Sequence, residues 1–447
     1  MAARLYETAS GQLFHAGQIA VILVGLPSRG KTHLSGAMKR YLCWLGVKTE
    51  SFNVGVYRRN LASSPTSAGD IEDPRGFELF DPSTRSSMAV RMKASEMAFQ
   101  DMINEVYRGG QVAIFDGANS SEDYRRTLLS RLTEIGVQVL FVESICDDPQ
   151  LIERNIINVK IHGPDYIGWS QADAVADFKR RIDAHAKIHE TITDTSLSFV
   201  KMFNAGERIV VNNVHGFLPT RIVFYLLNLH IQPRIIYLAP PPPECEVDLS
   251  ADSDARSVHL TAADPPLSTQ GRDHAQRLRD ALVEHRRNQQ SKRSVTPISP
   301  LSIWASKERQ PLETATIIAG SCVPSTSDPV VTAMAEAAVE GMTPEQIAEQ
   351  HPLDYKMHLA DPYNHRFSRG ESYHDLAIRL EAVILELERE KGDVMIVADE
   401  TVLRCLCAYF DGNLTNEQIP SLEVKKNEII EIVPGAYGST TNYIKVN

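Results

Sequence analysis

Residues Gly25-Leu26-Pro27-Ser28-Arg29-Gly30-Lys31-Thr32 fit the spacing G-x-x-x-x-G-K-[ST], and each fixed position has a chemical reason. Gly25 and Gly30 let backbone N–H groups curl around phosphate oxygens where a side chain would block the approach. Lys31 supplies a point charge to the outer phosphates, and the Thr32 hydroxyl is suited to ligate Mg²⁺. Asp116 closes the apolar run 111–116, where the carboxylate beside a metal stands in phosphate-loop enzymes; the bland alternative is the cap of a following helix. Arg58 and Arg59 follow Gly55 at another expected strand end, and paired arginines suit forked hydrogen bonds to a phosphorylated second substrate. Such a pair is also an ordinary feature of a solvated surface. Arg91 and Lys160 are, by spacing alone, indistinguishable from surface cations. These residues together point to binding of a nucleoside triphosphate.

The elements that must position them are set by periodicity. The run 19–24 is continuously apolar and leads into the loop, and 33–45 reads as the helix whose positive end faces the phosphates. Strands are expected over 47–54, 111–116 and 137–143, and helices over 89–107, 122–135, 149–159, 171–191 and 219–229. Strand–helix alternation of this kind implies a mainly parallel sheet with helices on both faces. Composition shifts after Gln232-Pro233, and Pro240-Pro241-Pro242-Pro243 favours an extended segment that cannot donate ladder bonds. A loop over 245–266, strands at 234–238, 302–306 and 393–398, and helices at 269–287, 311–319, 343–349, 372–390 and 400–410 make the second half α/β as well.

With 447 residues the chain has room for two or three domains, and a net charge of −11 argues against nonspecific nucleic-acid binding. The six cysteines are scattered, and Cys405 and Cys407 are spaced for neither a zinc knuckle nor a disulfide framework. No run reaches the roughly 18 apolar residues of a membrane span, and the first ten residues lack a signal-peptide core, so no membrane and a cytoplasmic location are expected.

The phosphate loop, Phe52-Asn53-Val54-Gly55-Val56-Tyr57-Arg58-Arg59, Phe115-Asp116-Gly117-Ala118-Asn119, 142–149, 155–160 and Gly163-Pro164-Asp165-Tyr166 recur in an order that closely resembles the kinase half of the 6-phosphofructo-2-kinase/fructose-2,6-bisphosphatases. Arg369-Gly370-Glu371-Ser372-Tyr373, 403–410 and Pro434-Gly435-Ala436-Tyr437-Gly438 look like the bisphosphatase half. The resemblance implies a P-loop kinase domain with a mainly parallel sheet over 1–232. A histidine-phosphatase-like (phosphoglycerate-mutase-like) α/β domain would follow over 233–447. It further implies ATP and Mg²⁺ as cofactors, fructose 6-phosphate as acceptor, a part in regulating glycolysis and a homodimer as assembly. By resemblance, Gly25, Leu26, Pro27, Ser28, Arg29, Gly30, Lys31 and Thr32 hold the ATP phosphates, with Asn155, Lys160 and Tyr437 around the nucleotide. Asp116 serves the metal and the sugar hydroxyl, and Lys160 and Lys31 stabilise the transferring group. Cys146 matches a cysteine of the family's kinase site, although phosphoryl transfer does not require a thiol. Arg58, Arg59, Arg91 and Arg125 are the expected sugar-phosphate contacts.

Departures from that pattern carry weight. Ala118, Tyr124 and Thr195 stand where the resemblance leads one to expect a threonine and two arginines, each loss being worth about 1–3 kcal/mol of substrate contact. In the second half the prolines 240–243 replace the Arg-His-Gly segment that carries the nucleophilic histidine, and Asp399-Glu400 replaces a second histidine. Arg309 is displaced from its expected position, and Glu336 lies near that of the acid. Arg366, Arg369 and Arg404 are left as candidate contacts or as ordinary surface and cap arginines. The expectation is an active 6-phosphofructo-2-kinase with a phosphatase-like domain lacking phosphatase activity. A nucleotide-binding regulator without catalysis, or a kinase for another small phosphorylated metabolite, are the rivals.

Overall fold

All six residues of Ile19–Val24 (β1) are buried, so this strand has a neighbour on each side and a layer above and below. The computed structural model describes residues 17–62, 85–157, 166, 168–231, 233–242, 264–292, 299–320, 343–412, 414–436 and 438–446, and the chain divides into two compact units at 231/232.

In the first unit β1 is followed by α1 (Lys31–Trp44), β2 (Thr49–Asn53), α2 (Val54–Ala62), α3 (Arg85–Tyr107), β3 (Val112–Asp116), α4 (Glu122–Glu134), β4 (Gln138–Ile145) and α5 (Pro149–Asn155). Then come α6 (Gln171–Ala186), β5 (Phe199–Phe203), β6 (Arg208–Asn212) and α7 (Phe217–Asn228). The sheet order is β2-β3-β1-β4-β5-β6; the first five strands are parallel and β6 is antiparallel. Because β1 lies between β3 and β4, successive crossovers leave it in opposite directions, and the crevice at its carboxyl end is the switch point where such sheets bind ligands. Phe99 of α3 and Leu128 and Leu132 of α4 pack on Ala20, Ile22 and Phe115. Tyr41 of α1 stacks on Tyr225 of α7 with ring centroids 4.2 Å apart.

The second unit has β7 (Ile236–Ala239), α8 (Thr269–Lys292), β8 (Leu301–Ala305), α9 (Arg309–Ala319), α10 (Pro344–Gln350), α11 (Pro352–Ala360), α12 (Tyr373–Arg379) and α13 (Glu381–Arg389). It ends with β9 (Asp393–Val397), α14 (Glu400–Asp411), β10 (Glu428–Gly435) and β11 (Gly438–Lys445). Sheet order is β11-β10-β7-β9-β8, with β7, β8 and β9 parallel and the β10–β11 hairpin antiparallel at one edge. Leu278 and Leu282 of α8 and Ile318 of α9 pack against Tyr237, Ile303 and Met395. A buried ionic network ties the sheet's flank: Arg234 donates to Glu388 at 2.5 Å, and the other oxygen of Glu388 accepts from the Tyr409 hydroxyl at 2.6 Å.

The sheets agree with the expected fold class, and several boundaries differ. The strand expected over 47–54 stops at Asn53, because the Asn53 carboxamide oxygen accepts from the Val56 N–H at 3.1 Å and starts α2 as its cap. Arg58 and Arg59 therefore stand on a helix, not on a strand-end loop. The helix expected to reach 191 ends at Ala186, and the one expected over 372–390 is two segments meeting at Leu380. The strands β5, β6, β10 and β11 and the helix α11 had no sequence expectation. Most of the loop expected over 245–266 lies outside the described residues.

Removing one partner from the Arg234–Glu388 pair leaves a buried charge, so Glu388→Ala is expected to cost about 3–5 kcal/mol. The double change Arg234→Met with Glu388→Leu should cost far less. Urea unfolding midpoints of the three full-length chains check this, and an unchanged midpoint for Glu388→Ala would show that the pair carries no stability.

Candidate functional site

The loop after β1 is fixed by close backbone contacts. Gly25 has φ 137°, and a Cβ there would strike the carbonyl of Ser144 on β4. Gly30 has φ 79°, and its Cβ would lie 2.8 Å from the Ile231 side chain. Neither position tolerates another residue without rearrangement. The Gly25 N–H donates to the Ala118 carbonyl at 3.1 Å, the Asn155 amide donates to the Ser28 carbonyl at 3.3 Å, and the Ser144 hydroxyl donates to the Arg29 carbonyl. Arg29 donates back to the Pro27 carbonyl at 3.0 Å, and burial lowers its pKa against the opposing pull of Cys146 and Asp147. The Lys31 ammonium folds over the loop and donates to the Leu26 carbonyl at 2.6 Å. Ser28, only 5% exposed and with φ 62°, turns a buried hydroxyl with no hydrogen-bond partner into the loop region. A cradle with glycines where no Cβ fits, a cation across it and an orphaned hydroxyl suits the phosphates of a nucleotide.

Beside it, Asp116 ends β3, and the Asn53 amide donates to its carboxylate and lies 3.5 Å from the Thr32 hydroxyl. Asn53 thus does two jobs: one end caps α2, the other bridges the two expected metal ligands. Among the described residues no group of three or more His, Cys, Asp or Glu could hold a metal ion by itself. The donor set of one hydroxyl and one carboxylate fits Mg²⁺, which keeps waters and completes its shell with substrate phosphates.

A third feature is positive charge gathered from four elements. Lys31 of α1, Arg58 of α2, Arg91 of α3 and Arg181 of α6 all act electrostatically on His185, in the last turn of α6. Asp177, Arg181 and His185 fall four residues apart on one buried face of α6. Asp177 accepts from Arg181 Nε at 2.8 Å and from the Tyr166 hydroxyl at 2.9 Å, and the Arg181 guanidinium lies over the Tyr166 ring. Burial first, and then the four cations, push the His185 pKa down to about 3. Arg91 is itself lowered by burial. Such a ring attracts a multiply charged anion.

Other expected residues take different places. Cys146 directly follows β4, buried, with its thiol against the Asp148 carbonyl at 3.8 Å; burial raises its pKa, so it is a neutral thiol rather than a nucleophile. Arg125 is buried and donates to the carbonyls of Asn119 and Ser120 at 3.1 and 2.7 Å, with Glu143, Glu190 and Glu122 as its charged neighbours. It clamps the chain after β3 and does not join the four cations around His185. Tyr124 pairs with Ser95 at 2.6 Å. The missing arginine was expected at Thr195, which instead occupies an exposed turn with its carbonyl bonded by Asn212; Arg181 is the arginine that reaches the ring. Lys160 and Tyr437 lie outside the described residues.

The family model for 6-phosphofructo-2-kinase matches residues 6–233, and that for the histidine phosphatase superfamily (branch 1) matches residues 252–445. The chain is 34% identical to 6-phosphofructo-2-kinase/fructose-2,6-bisphosphatase 4 of Macaca fascicularis over 96% of its own length and 85% of the relative's. It is 36% identical to the 6-phosphofructo-2-kinase/fructose-2,6-bisphosphatase of Gallus gallus over 96% of its own length and 84% of the relative's. The chain belongs to the 6-phosphofructo-2-kinase/fructose-2,6-bisphosphatase family.

In the half that matches the histidine phosphatases, the carboxyl ends of β7, β8 and β9 lie side by side in register at Ala239, Ala305 and Val397. Pro240, Ser306 and Ala398-Asp399-Glu400 come directly after these strand ends. Three arginines of this unit are paired with carboxylates: Arg404 with Glu400 at 2.8 Å, Arg309 with Glu313 at 3.3 Å and Arg366 with Asp375 at 2.9 Å. Arg404 also donates to the Tyr373 hydroxyl and to the Leu422 carbonyl. Arg369 is exposed, with φ 66°. Glu336 and Pro243 lie outside the described residues.

Asn53 was missed as a functional residue because it was read as part of the strand over 47–54; its signal was the cap position of the arginine-bearing helix. Replacing it with alanine frees Asp116 and uncaps α2 together. Asn53→Ala is therefore expected to raise the Mg²⁺ concentration for half-maximal ATP-dependent turnover about 10- to 100-fold. A Mg²⁺ titration of initial rate checks this, and an unchanged midpoint would detach Asn53 from the metal.

Proposed function

We propose that the chain transfers the γ-phosphoryl group of ATP to the 2-hydroxyl of fructose 6-phosphate, giving fructose 2,6-bisphosphate, and that its phosphatase-like half does not hydrolyse that product. The observation that carries the reading is the convergence of three parts in one unit: the phosphate loop, the Thr32–Asn53–Asp116 group and the cations around His185. Such a transfer needs positioning and charge compensation more than covalent catalysis. In this reading the kinase domain spans 1–232, the phosphatase-like domain spans 233–447, and the protein works in the cytoplasm.

Loop N–H groups and the amino end of α1 bind the nucleotide's phosphates, and Lys31 compensates charge on the transferring group. Mg²⁺, when bound through Thr32 and Asp116, supplies further neutralisation of the phosphate oxygens. Asp116 also orients the acceptor hydroxyl, while Arg58, Arg59, Arg91 and Arg181 hold the acceptor's own phosphate. Support for a silent phosphatase half is electrostatic and steric. Proline stands where a nucleophile would, two carboxylates stand at the end of β9, and the nearby arginines are already neutralised. A coupled assay of ATP turnover with fructose 6-phosphate against a panel of sugar phosphates tests the acceptor. A preference for another member of the panel would overturn it.

Lys31→Met and Asp116→Ala are each expected to abolish turnover, and only Lys31→Met should strongly weaken ATP binding. Titration calorimetry beside the rate assay separates the two effects, and wild-type turnover in Asp116→Ala would sink the assignment. The full chain is expected to release no phosphate from labelled fructose 2,6-bisphosphate above a heat-denatured control, and Pro241→His should not restore release, because it repairs neither Asp399 nor Glu400. Release by either chain would refute the silent half.

A further inference from the structure

Pairing along β1 ends sooner on one side than on the other. With β4 it runs to Val24 opposite Glu143, whereas with β3 it stops at Ile22 opposite Phe115. The next main-chain groups turned to the β3 side are the Leu23 carbonyl and, two residues on, the Gly25 N–H. Leu23 is fully buried, and a buried carbonyl left alone is costly. The segment after β3 meets both groups. The Ala118 carbonyl accepts from the Gly25 N–H at 3.1 Å, and the Asn119 side-chain amide donates to the Leu23 carbonyl at 2.7 Å. A carbonyl only accepts, so the nitrogen end of the amide faces it. Asn119 is itself buried, has φ 44°, and its own carbonyl accepts from Arg125 at 3.1 Å. Asparagine suits the position twice over, tolerating the left-handed backbone and carrying a donor.

That bond lies between the two parts of the site. Asp116 is three residues before Asn119, and Gly25, which opens the phosphate cradle, is two residues after Leu23. We propose that Asn119 is a positioning residue whose amide holds Asp116 at a fixed separation from the cradle, so that Mg²⁺ and the nucleotide's phosphates are bound as one unit. The proposal rests on reading cradle and carboxylate as the ATP and metal site. Asn53 orients the carboxylate itself, whereas Asn119 fixes the main chain that carries it. Phosphoryl transfer depends on this registration, because catalysis is mostly positioning and a displacement of about 1 Å can cost on the order of 100-fold in rate.

The test compares the full-length wild type with Asn119→Gly, which accepts the left-handed backbone and removes the side-chain donor. Titration calorimetry with ATP, without and then with saturating Mg²⁺, is read beside steady-state rates with fructose 6-phosphate. Both are run where urea unfolding shows each chain folded. ATP affinity without metal is expected to stay within about threefold of the wild type. The tightening produced by Mg²⁺ should fall about 10-fold, and kcat about 10- to 100-fold. A merely structural role would lower the urea midpoint and leave the Mg²⁺ effect and kcat of the folded variant unchanged. That result overturns the proposal. If Asn119→Gly does not fold, Asn119→Ser replaces it, since its hydroxyl is too short to reach the Leu23 carbonyl and it leaves a smaller void. A wild type that gains no ATP affinity from Mg²⁺ sinks the metal reading and the proposal with it. A gain that persists undiminished in the variant overturns the proposal alone.

Discussion

Burial of His185 where Lys31, Arg58, Arg91 and Arg181 all act on it brings together charges carried on four helices of the first unit. Like charges held together in a low-dielectric setting would drift apart if they hung on loops. Each is instead carried on a helix, and for three of them the anchoring is plain. Lys31 opens α1 directly after a left-handed glycine, Arg58 rides on the helix that Asn53 caps, and Arg181 is gripped from one side by Asp177 and from another by Tyr166. The sheet sets the rest. With β1 between β3 and β4, the loop, Asp116 and Ser144 must meet at one edge.

The second unit shows the same kind of parallel edge with the opposite electrostatic outcome. Three of its arginines, Arg404, Arg309 and Arg366, face carboxylates already in place at Glu400, Glu313 and Asp375, so a phosphate binding to any of these would have to compete with a bonded anion. Burial works against ionisation of Asp375, yet the Ser372 N–H and Arg366 hold its carboxyl at about 2. The pair therefore stays charged through the neutral range.

Much of this was legible in the sequence where a residue type has one dominant reason to be there. Gly25, Gly30 and Lys31 are such positions, and the apolar runs that became β1, β3 and β4 had no alternative to burial. The rest turned on contacts between residues far apart in the chain. Asn53 gains its role only when β2 and β3 lie side by side, and His185 feels charges carried on α1, α2 and α3, elements far from it in the chain. On α6 alone, a charged residue and a histidine at helical spacing look like a solvated face. Strands such as β5 and β6 were overlooked because mixed polar and apolar runs like Arg208–Asn212 lack a clean alternation; neighbours decide their pairing.

The second unit's packing and the positions after its parallel strands lie at opposite ends of one sheet. Asp393 at the start of β9 accepts from the Ile235 N–H at 2.9 Å and from Arg286 at 2.7 Å, and Arg234, just before β7, is neutralised by Glu388. These buried charges cluster at the amino ends of the parallel strands. Pro240 and Asp399 come after the carboxyl ends of the same strands. Substitutions at one end of a strand four or five residues long leave the ion pairs at the other end untouched. Proline at 240 is tolerated for the same reason: it comes after the last paired residue of β7, where no ladder bond is required of its nitrogen. The positions after the carboxyl ends can therefore vary while the packing that selects the fold remains intact.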